Sequence, residues 1–275
     1  MISKINKNSI FTVHHKQHSL LNDFSEFTEI LQVGTNENNI FSDLNDLSDT
    51  NIAVRNYCYA EMTGIYTVWK FHKQKQVCFQ HYRRIFSHSW WYSELIDTIY
   101  RKLRDKHAKL KRYNYIYGGA NCISDPHRFM RDLNKLNRFK LSKGTVVVPR
   151  SIWTSETVKE QFIKSHGEAF WDLTYAAIAQ HHTELAKSFH LIGGQNELTP
   201  YNMFIMNWCD FDEYCSTVFH IFDSMYNTVN KKLLIGYNAR FIGFMAERIF
   251  TAYLHMKRSD LNIRRSKVNL ADFEF

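Results

Sequence analysis

The sequence predicts an α/β protein with a mixed, mostly parallel sheet flanked by helices. Short apolar, β-branched runs such as Ile10-Phe11-Thr12-Val13 and Thr145-Val146-Val147-Val148-Pro149 have strand length, and longer segments between such runs carry apolar residues at helical spacing. The 275 residues are 44% hydrophobic with only 10 Gly and 3 Pro, enough for a sizeable core and too few for long flexible linkers. Strands that alternate with helices build a sheet covered on both faces.

The elements follow in order. Ile10-Phe11-Thr12-Val13 reads as a buried strand ending in His14-His15-Lys16, and Gln32-Val33-Gly34-Thr35 as a second strand closing in a turn. Residues 36–51 shift to Asn, Asp, Ser and Glu and read as a surface loop. Tyr57, Met62, Ile65, Tyr66 and Trp69 form one stripe of a helix over 57–71. Val77-Cys78-Phe79 is a strand that runs into His81-Tyr82-Arg83-Arg84, and a helix over 90–110 follows before Gly118-Gly119 breaks the pattern. Thr145 to Pro149 is a strand stopped by a residue that cannot donate to the ladder. Residues 156–165 and 168–189 read as helices, Tyr201-Asn202-Met203-Phe204-Ile205-Met206 as a strand, and 212–229 and 240–256 as the last helices. One domain over 1–256 and a basic tail over 257–275 are expected.

Thirty-five Lys and Arg against 27 Asp and Glu give a net charge of +8, which favours an anionic partner: a nucleotide, a nucleic acid or an anionic membrane. The basic runs 101–112 and 258–267 motivate the nucleic-acid reading, but no zinc-finger, RNP or helix-turn-helix signature supports it, and no nucleic-acid partner is expected. The first residues hold only a short apolar stretch, and nothing approaches the roughly 20 apolar residues of a membrane span. Five cysteines without a Cys-x-x-Cys spacing indicate neither a disulfide framework nor a zinc ribbon and suit a reducing cytoplasm. His166 and His181-His182 lack metal-ligand spacing.

In open α/β sheets ligands bind beyond the carboxyl ends of the strands. Three such ends carry clusters: His14-His15-Lys16, His81-Tyr82-Arg83-Arg84 and Pro149-Arg150. Adjacent guanidinium forks suit a diphosphate.

Several motifs then resemble, in order, a known family. They are Asn51-Ile52, Asn56-Tyr57-Cys58, Glu61-Met62-Thr63-Gly64-Ile65-Tyr66, Val68-Trp69-Lys70, His81-Tyr82-Arg83-Arg84-Ile85-Phe86, the Tyr201 to Met206 run, Phe211-Asp212-Glu213-Tyr214-Cys215 and Gly243-Phe244-Met245-Ala246-Glu247-Arg248-Ile249-Phe250. The family is one of bacterial capsular and O-antigen polysaccharide glycosyltransferases, long known only as a domain of unknown function, with galactofuranosyltransferase members. The likeness runs from about His15 to Leu254. This chain departs from the family's single His-Lys pair after the first strand, and has Tyr59-Ala60-Glu61-Met62-Thr63 where the family reads Cys-Glu-Leu-Thr.

The resemblance implies a GT-A-like fold and transfer of galactofuranose from UDP-galactofuranose, with inversion, to a hydroxyl of a lipid-linked or oligosaccharide acceptor. A related transferase with a pyranose donor is the rival within enzymes. Inverting transfer needs a base for the acceptor proton and a cationic element for the departing UDP. Glu247 is the expected base, in a late helix after Gly243, with Glu61 next. His15, Lys16, Glu61, Thr63, His81, Arg83 and Arg84 are expected at the donor, and Asn202 at the acceptor or sugar. Arg83 and Arg84 stand where many GT-A enzymes hold a metal, so no metal ligands are assigned; manganese or magnesium recruited by Asp43, Asp46 or Asp49 is the alternative. Asp210-Phe211-Asp212 reads as the cap and first turn of a helix. The expected location is the cytoplasm, loosely held at the inner membrane face by the five cations between Lys257 and Lys267.

Overall fold

The computed structural model describes residues 3–4, 9–47, 52–87 and 121–275. The helix expected over 90–110, the Gly118-Gly119 break, the basic run 101–112, Asn51 and Asp49 lie outside them. In chain order the elements are β1 (Ser3–Lys4), β2 (Ile10–His14), α1 (Leu21–Phe27), β3 (Glu29–Gln32), α2 (Asn56–Tyr59), α3 (Met62–Phe71), β4 (Gln76–His81), β5 (Arg84–Phe86) and β6 (Asn121–Ile123). Then come α4 (Pro126–Asn134), β7 (Lys140–Leu141), β8 (Thr145–Pro149), β9 (Ile152–Trp153), α5 (Val158–His166), α6 (Glu168–His181) and α7 (Thr183–Gly193). The chain continues through β10 (Glu197–Leu198), β11 (Phe204–Asn207), α8 (Trp208–Thr228), α9 (Phe241–Met256), β12 (Asn262–Ser266) and β13 (Val268–Ala271).

The α/β architecture with a mixed sheet between helices is as the sequence predicts, with antiparallel pairs as prominent as parallel ones. The order is β12-β8-β11-β4-β5-β13-β6, with β2 on β4 and β3 outside β2. β2 lies parallel to both β3 and β4, while β11 is antiparallel to β4 and β8. At His81 the sheet forks: this last residue of β4 pairs with Val13 of β2 and with Arg84 of β5.

Both faces are buried, which explains the continuous apolar runs. Phe11, Val13, Val77, Phe79, Phe204 and Met206 alternate onto the face covered by α2, α3 and α5 to α9. Ile10, Cys78, Val147 and Ile205 point to the other face, where Phe24 of α1 and Phe129 and Leu133 of α4 close the core.

Several boundaries move, each for a local reason. The second strand is Glu29–Gln32, and Val33 to Thr35 turn away because Gly34 takes φ +69° and Asp46 captures the next amides. The helix over 57–71 breaks at Ala60, whose φ is +51°. Asn56 Nδ2 donates to Ala60 O at 2.8 Å and closes the short α2 there. The helix over 168–189 breaks at His182, which is extended and whose Nδ1 accepts the Leu185 amide. The strand expected from Tyr201 begins only at Phe204, because Tyr201 and Asn202 have φ +77° and +49°. α5 starts on the capping box of Thr157 and Glu160, and α9 falls where the sequence places it.

The segment past Met256 is not a solvated tail. β12 pairs parallel with β8, and β13 pairs with β5 and β6, so residues 262–271 belong to the sheet. Burial and pairing hold the segment: Val268 and Ala271 are buried, and Arg265 turns to Thr199 and to Glu197. Lys257 is ion-paired with Glu213.

Candidate functional site

The carboxyl ends of β2 and β4 point the same way because the two strands are parallel, and the turn that leads into antiparallel β11 arrives at the same edge. The expected residues mostly gather there, although not in the roles foreseen for all of them.

The centre is the turn at Tyr201 and Asn202. Two successive residues other than glycine with positive φ are a strained arrangement that persists only when its surroundings fix it. Glu247 accepts the Tyr201 amide through Oε1 at 2.7 Å, and His81 Nε2 donates to the Tyr201 carbonyl at 2.8 Å. Asn202 Nδ2 donates to Glu61 Oε1 at 2.7 Å and to Gly243 O at 3.2 Å. The Arg84 guanidinium lies 4.8 Å from the centroid of the Tyr201 ring. Asn202 Oδ1 is buried and has no partner among the described residues.

Glu61 and Glu247 face this turn from opposite sides in different states. Glu247 Oε2 pairs at 2.9 Å with Arg248, whose side chain is 6% exposed, so both carboxylate oxygens are engaged. Burial raises its pKa, and the charge of Arg248 only partly offsets that. Glu61 uses Oε1 for Asn202 and leaves Oε2 facing the exposed Arg240 at 4.0 Å. The break at Ala60 aims Glu61 this way, since Glu61 becomes the N-cap of α3 instead of an interior helix residue. Gly243 makes the crossing possible: a Cβ there would lie 2.9 Å from Ala60 Cβ.

Cations surround the edge. His15, beside the Tyr82 ring, is held below its ordinary pKa, first by desolvation and then by Lys16, Arg240, His81 and Arg83. His81 is also lowered by burial, against the pull of Glu61, so it stands neutral with its proton on Nε2 toward Tyr201. It is therefore a brace for the turn and not a phosphate-binding cation. Lys16 and Arg83 are exposed and line a cavity of about 330 Å³ with Tyr82, Phe273, Glu274 and Phe275.

Other expected residues are elsewhere. Thr63 is fully buried and donates to Asp46 Oδ2 at 2.6 Å, inside the loop cluster. Asp46 is itself buried and also accepts the amides of Gly34 and Thr35, so it is a loop anchor and not a recruit for a cation. Among the described residues no group of three or more His, Cys, Asp or Glu side chains is placed to hold a metal. Asp210 lies in the first turn of α8, and Asp212 accepts the Trp69 indole N–H at 2.7 Å. His14 is buried in a stack with His18 and Tyr82, and its Nδ1 is 2.9 Å from His18 Nε2.

Residues 9–258 match the family described as a domain of unknown function, DUF4422. The chain belongs to the DUF4422 family. The match takes in every residue of the strained turn, both carboxylates and the four cations Lys16, Arg83, Arg84 and Arg240. A solved structure described as the apo form of the bifunctional glycosyltransferase WbbM is similar over 97% of this chain, with a TM-score of 0.75 and 19% sequence identity. The fold is therefore that of part of WbbM: this chain spans 46% of its length. No curated protein matches.

Sequence reasoning missed Arg240, Phe273 and Phe275 and took Tyr201 for a strand residue, whereas the pairing of Glu247 with Arg248, its alternative reading for that carboxylate, is present. Only Arg240 carried a hint, as a cation at the start of a helix that already held the expected base.

Proposed function

We propose that this DUF4422 chain is a glycosyltransferase of polysaccharide synthesis that moves galactofuranose from UDP-galactofuranose to a glycan hydroxyl with inversion. The observation that carries it is the meeting of exposed Lys16, Arg83 and Arg240 with the half-free carboxylate of Glu61 at the sheet edge, on a fold shared with part of WbbM. The furanose ring of the donor is taken from the sequence resemblance alone.

Lys16 and Arg83 suit the diphosphate, and the aromatic cavity beside them suits the uracil ring. Glu61 Oε2 takes the proton of the acceptor hydroxyl; that oxygen bonds to the anomeric carbon as the bond to the UDP oxygen breaks on the opposite face. The electron pair leaves with UDP, whose developing charge is stabilised by the arginines, the task a metal ion performs elsewhere. Glu247, expected as the base, instead holds Tyr201, and through it the turn that presents Asn202 to Glu61.

Incubation with a panel of UDP-hexoses, including UDP-galactofuranose generated in place by a mutase, and with glycan acceptors tests this by mass. A gain of one hexose from the furanose donor, retained with EDTA, is expected. No transfer from any UDP-sugar overturns the reading, and loss with EDTA restored by manganese overturns the metal-free part.

A further inference from the structure

A second surface adjoins the donor site at Arg240. The segment between α8 and α9 turns outward with Leu234 buried as its anchor and Leu233, Ile235 and Tyr237 exposed on either side, Ile235 to 72%. This segment packs against α2, where Tyr57 is also exposed, and Val54 stands exposed just before it. Tyr57 and Tyr226 meet hydroxyl to hydroxyl at 3.1 Å, and the Tyr226 ring carries the Lys231 ammonium at 3.2 Å and the Arg55 guanidinium at 4.7 Å from its centroid. Apolar tips, tyrosines and cations thus form one continuous patch.

Large apolar side chains clustered in water call for an occupant, and the charges indicate which. Lys231, Lys232 and Arg240 lie in this segment, and no acid occurs from Val229 to Ala246. The nearby Asp223 is ion-paired with Arg55 at 2.6 Å. Aliphatic tips ringed by lysines, with tyrosines at the boundary, match an anionic bilayer surface: acyl chains accept the tips, interfacial tyrosines sit at headgroup level, and each lysine adds electrostatic attraction.

We infer that the 231–237 turn, with Val54 and Tyr57, is the face by which this protein rests on an anionic membrane. The turn runs directly into Arg240, which faces Glu61. A chain resting on this face keeps its site at the lipid surface, where a lipid-linked acceptor is presented; that purpose, though not the contact itself, rests on the proposed transferase function.

Flotation with phosphatidylglycerol-containing and purely zwitterionic vesicles, at low and high salt, tests the inference without any turnover. The intact protein should float with the anionic vesicles, more weakly at high salt. The double variant Leu233→Ser, Ile235→Ser should lose about tenfold or more in vesicle affinity, and Lys231→Gln, Lys232→Gln should lose a similar factor together with most of the salt dependence. Hexose transfer to a water-soluble acceptor should be unchanged in both. An intact protein that does not float, or apolar variants that float like it, overturns the inference even if transfer is observed. So does a patch whose variants instead abolish self-association in vesicle-free sedimentation, which would make it a protein contact.

Discussion

Two polar clusters lie at the same end of the sheet and differ in how completely they are satisfied. In the loop after β3, Asp46 is buried and both its oxygens are used, by Gly34 N, Thr35 N and the Thr63 hydroxyl. Gln32 closes the same loop by donating to Asn39 O and accepting the amides of Phe41 and Ser42. In the turn before β11, among the described residues Asn202 Oδ1 is buried without a partner and Glu61 Oε2 has only a distant arginine, and two residues hold positive φ. The first cluster has turned its carboxylate and amide groups on itself, with the Thr35 hydroxyl alone lacking a partner among the described residues, and serves the fold. The second keeps acceptors and cations open at a strained turn, which is the condition for recognising something else.

The largest expected effect breaks the closed cluster. Asp46→Ala leaves the Gly34 and Thr35 amides without an acceptor, at about 1–3 kcal/mol each, while the Thr63 hydroxyl falls back on the Ala60 carbonyl, so a loss of about 3 kcal/mol is expected in urea unfolding. A loss below about 1 kcal/mol would erase the distinction between the loops. Next, Glu61→Gln should keep UDP affinity and lower turnover by about 100-fold or more, because the amide accepts no proton. Glu247→Gln should lower stability yet keep most of the turnover, since its part is to hold Tyr201; the opposite pattern returns the base to Glu247. A smaller change is expected for Arg83→Ala, which should weaken UDP binding by about 1.5 kcal/mol, the low end for a hydrogen bond to a charged group. Calorimetry that finds no change moves the diphosphate away from the β4 end.

What was legible in the sequence follows the same division. Runs such as Thr145 to Pro149 and the stripe of α9 have one possible burial pattern, so the strands, the helices and the convergence of β2 and β4 were readable in advance. Ala60 gave no sign, because alanine is the best helix former, whereas its positive φ goes with the Asn56 bond to its carbonyl and the close approach of Gly243. The turn at Tyr201 was hidden likewise: an apolar run with β propensity is overridden by bonds from Glu247 and His81, more than 40 residues away in each direction. The segment past Met256 looked like a tail because its charges are dense, whereas pairing with β8 and β13's own partners comes from residues far away in sequence. Contacts remote along the chain, not local propensity, decide which polar residues end in a site.

The smallest expected effect concerns the histidine stack beside the site. His14 is fully buried among His18, Tyr82 and Phe24, and its pKa falls from 6.5 to about 2, chiefly by burial and then by the charges of His18, His15 and His81. His18 falls to about 4 for the same first reason. In the unfolded chain both bind a proton near pH 6.5, so below that value the unfolded state holds more protons than the native one. The stability they permit is complete above pH 6.5 and is lost as the pH falls from there toward the native values. For His14 the loss at pH 6 is about 1 kcal/mol, which lowers Tm by about 3 °C relative to pH 7.5. His14→Gln, which keeps a polar group for His18 and removes one of the two titrations, should remove about half of the slope the pair shares. If the melting curve of the variant keeps the full pH dependence between 7.5 and 6, the stack is not its source, and other histidines held low by burial, such as His81 and His166, must carry it instead.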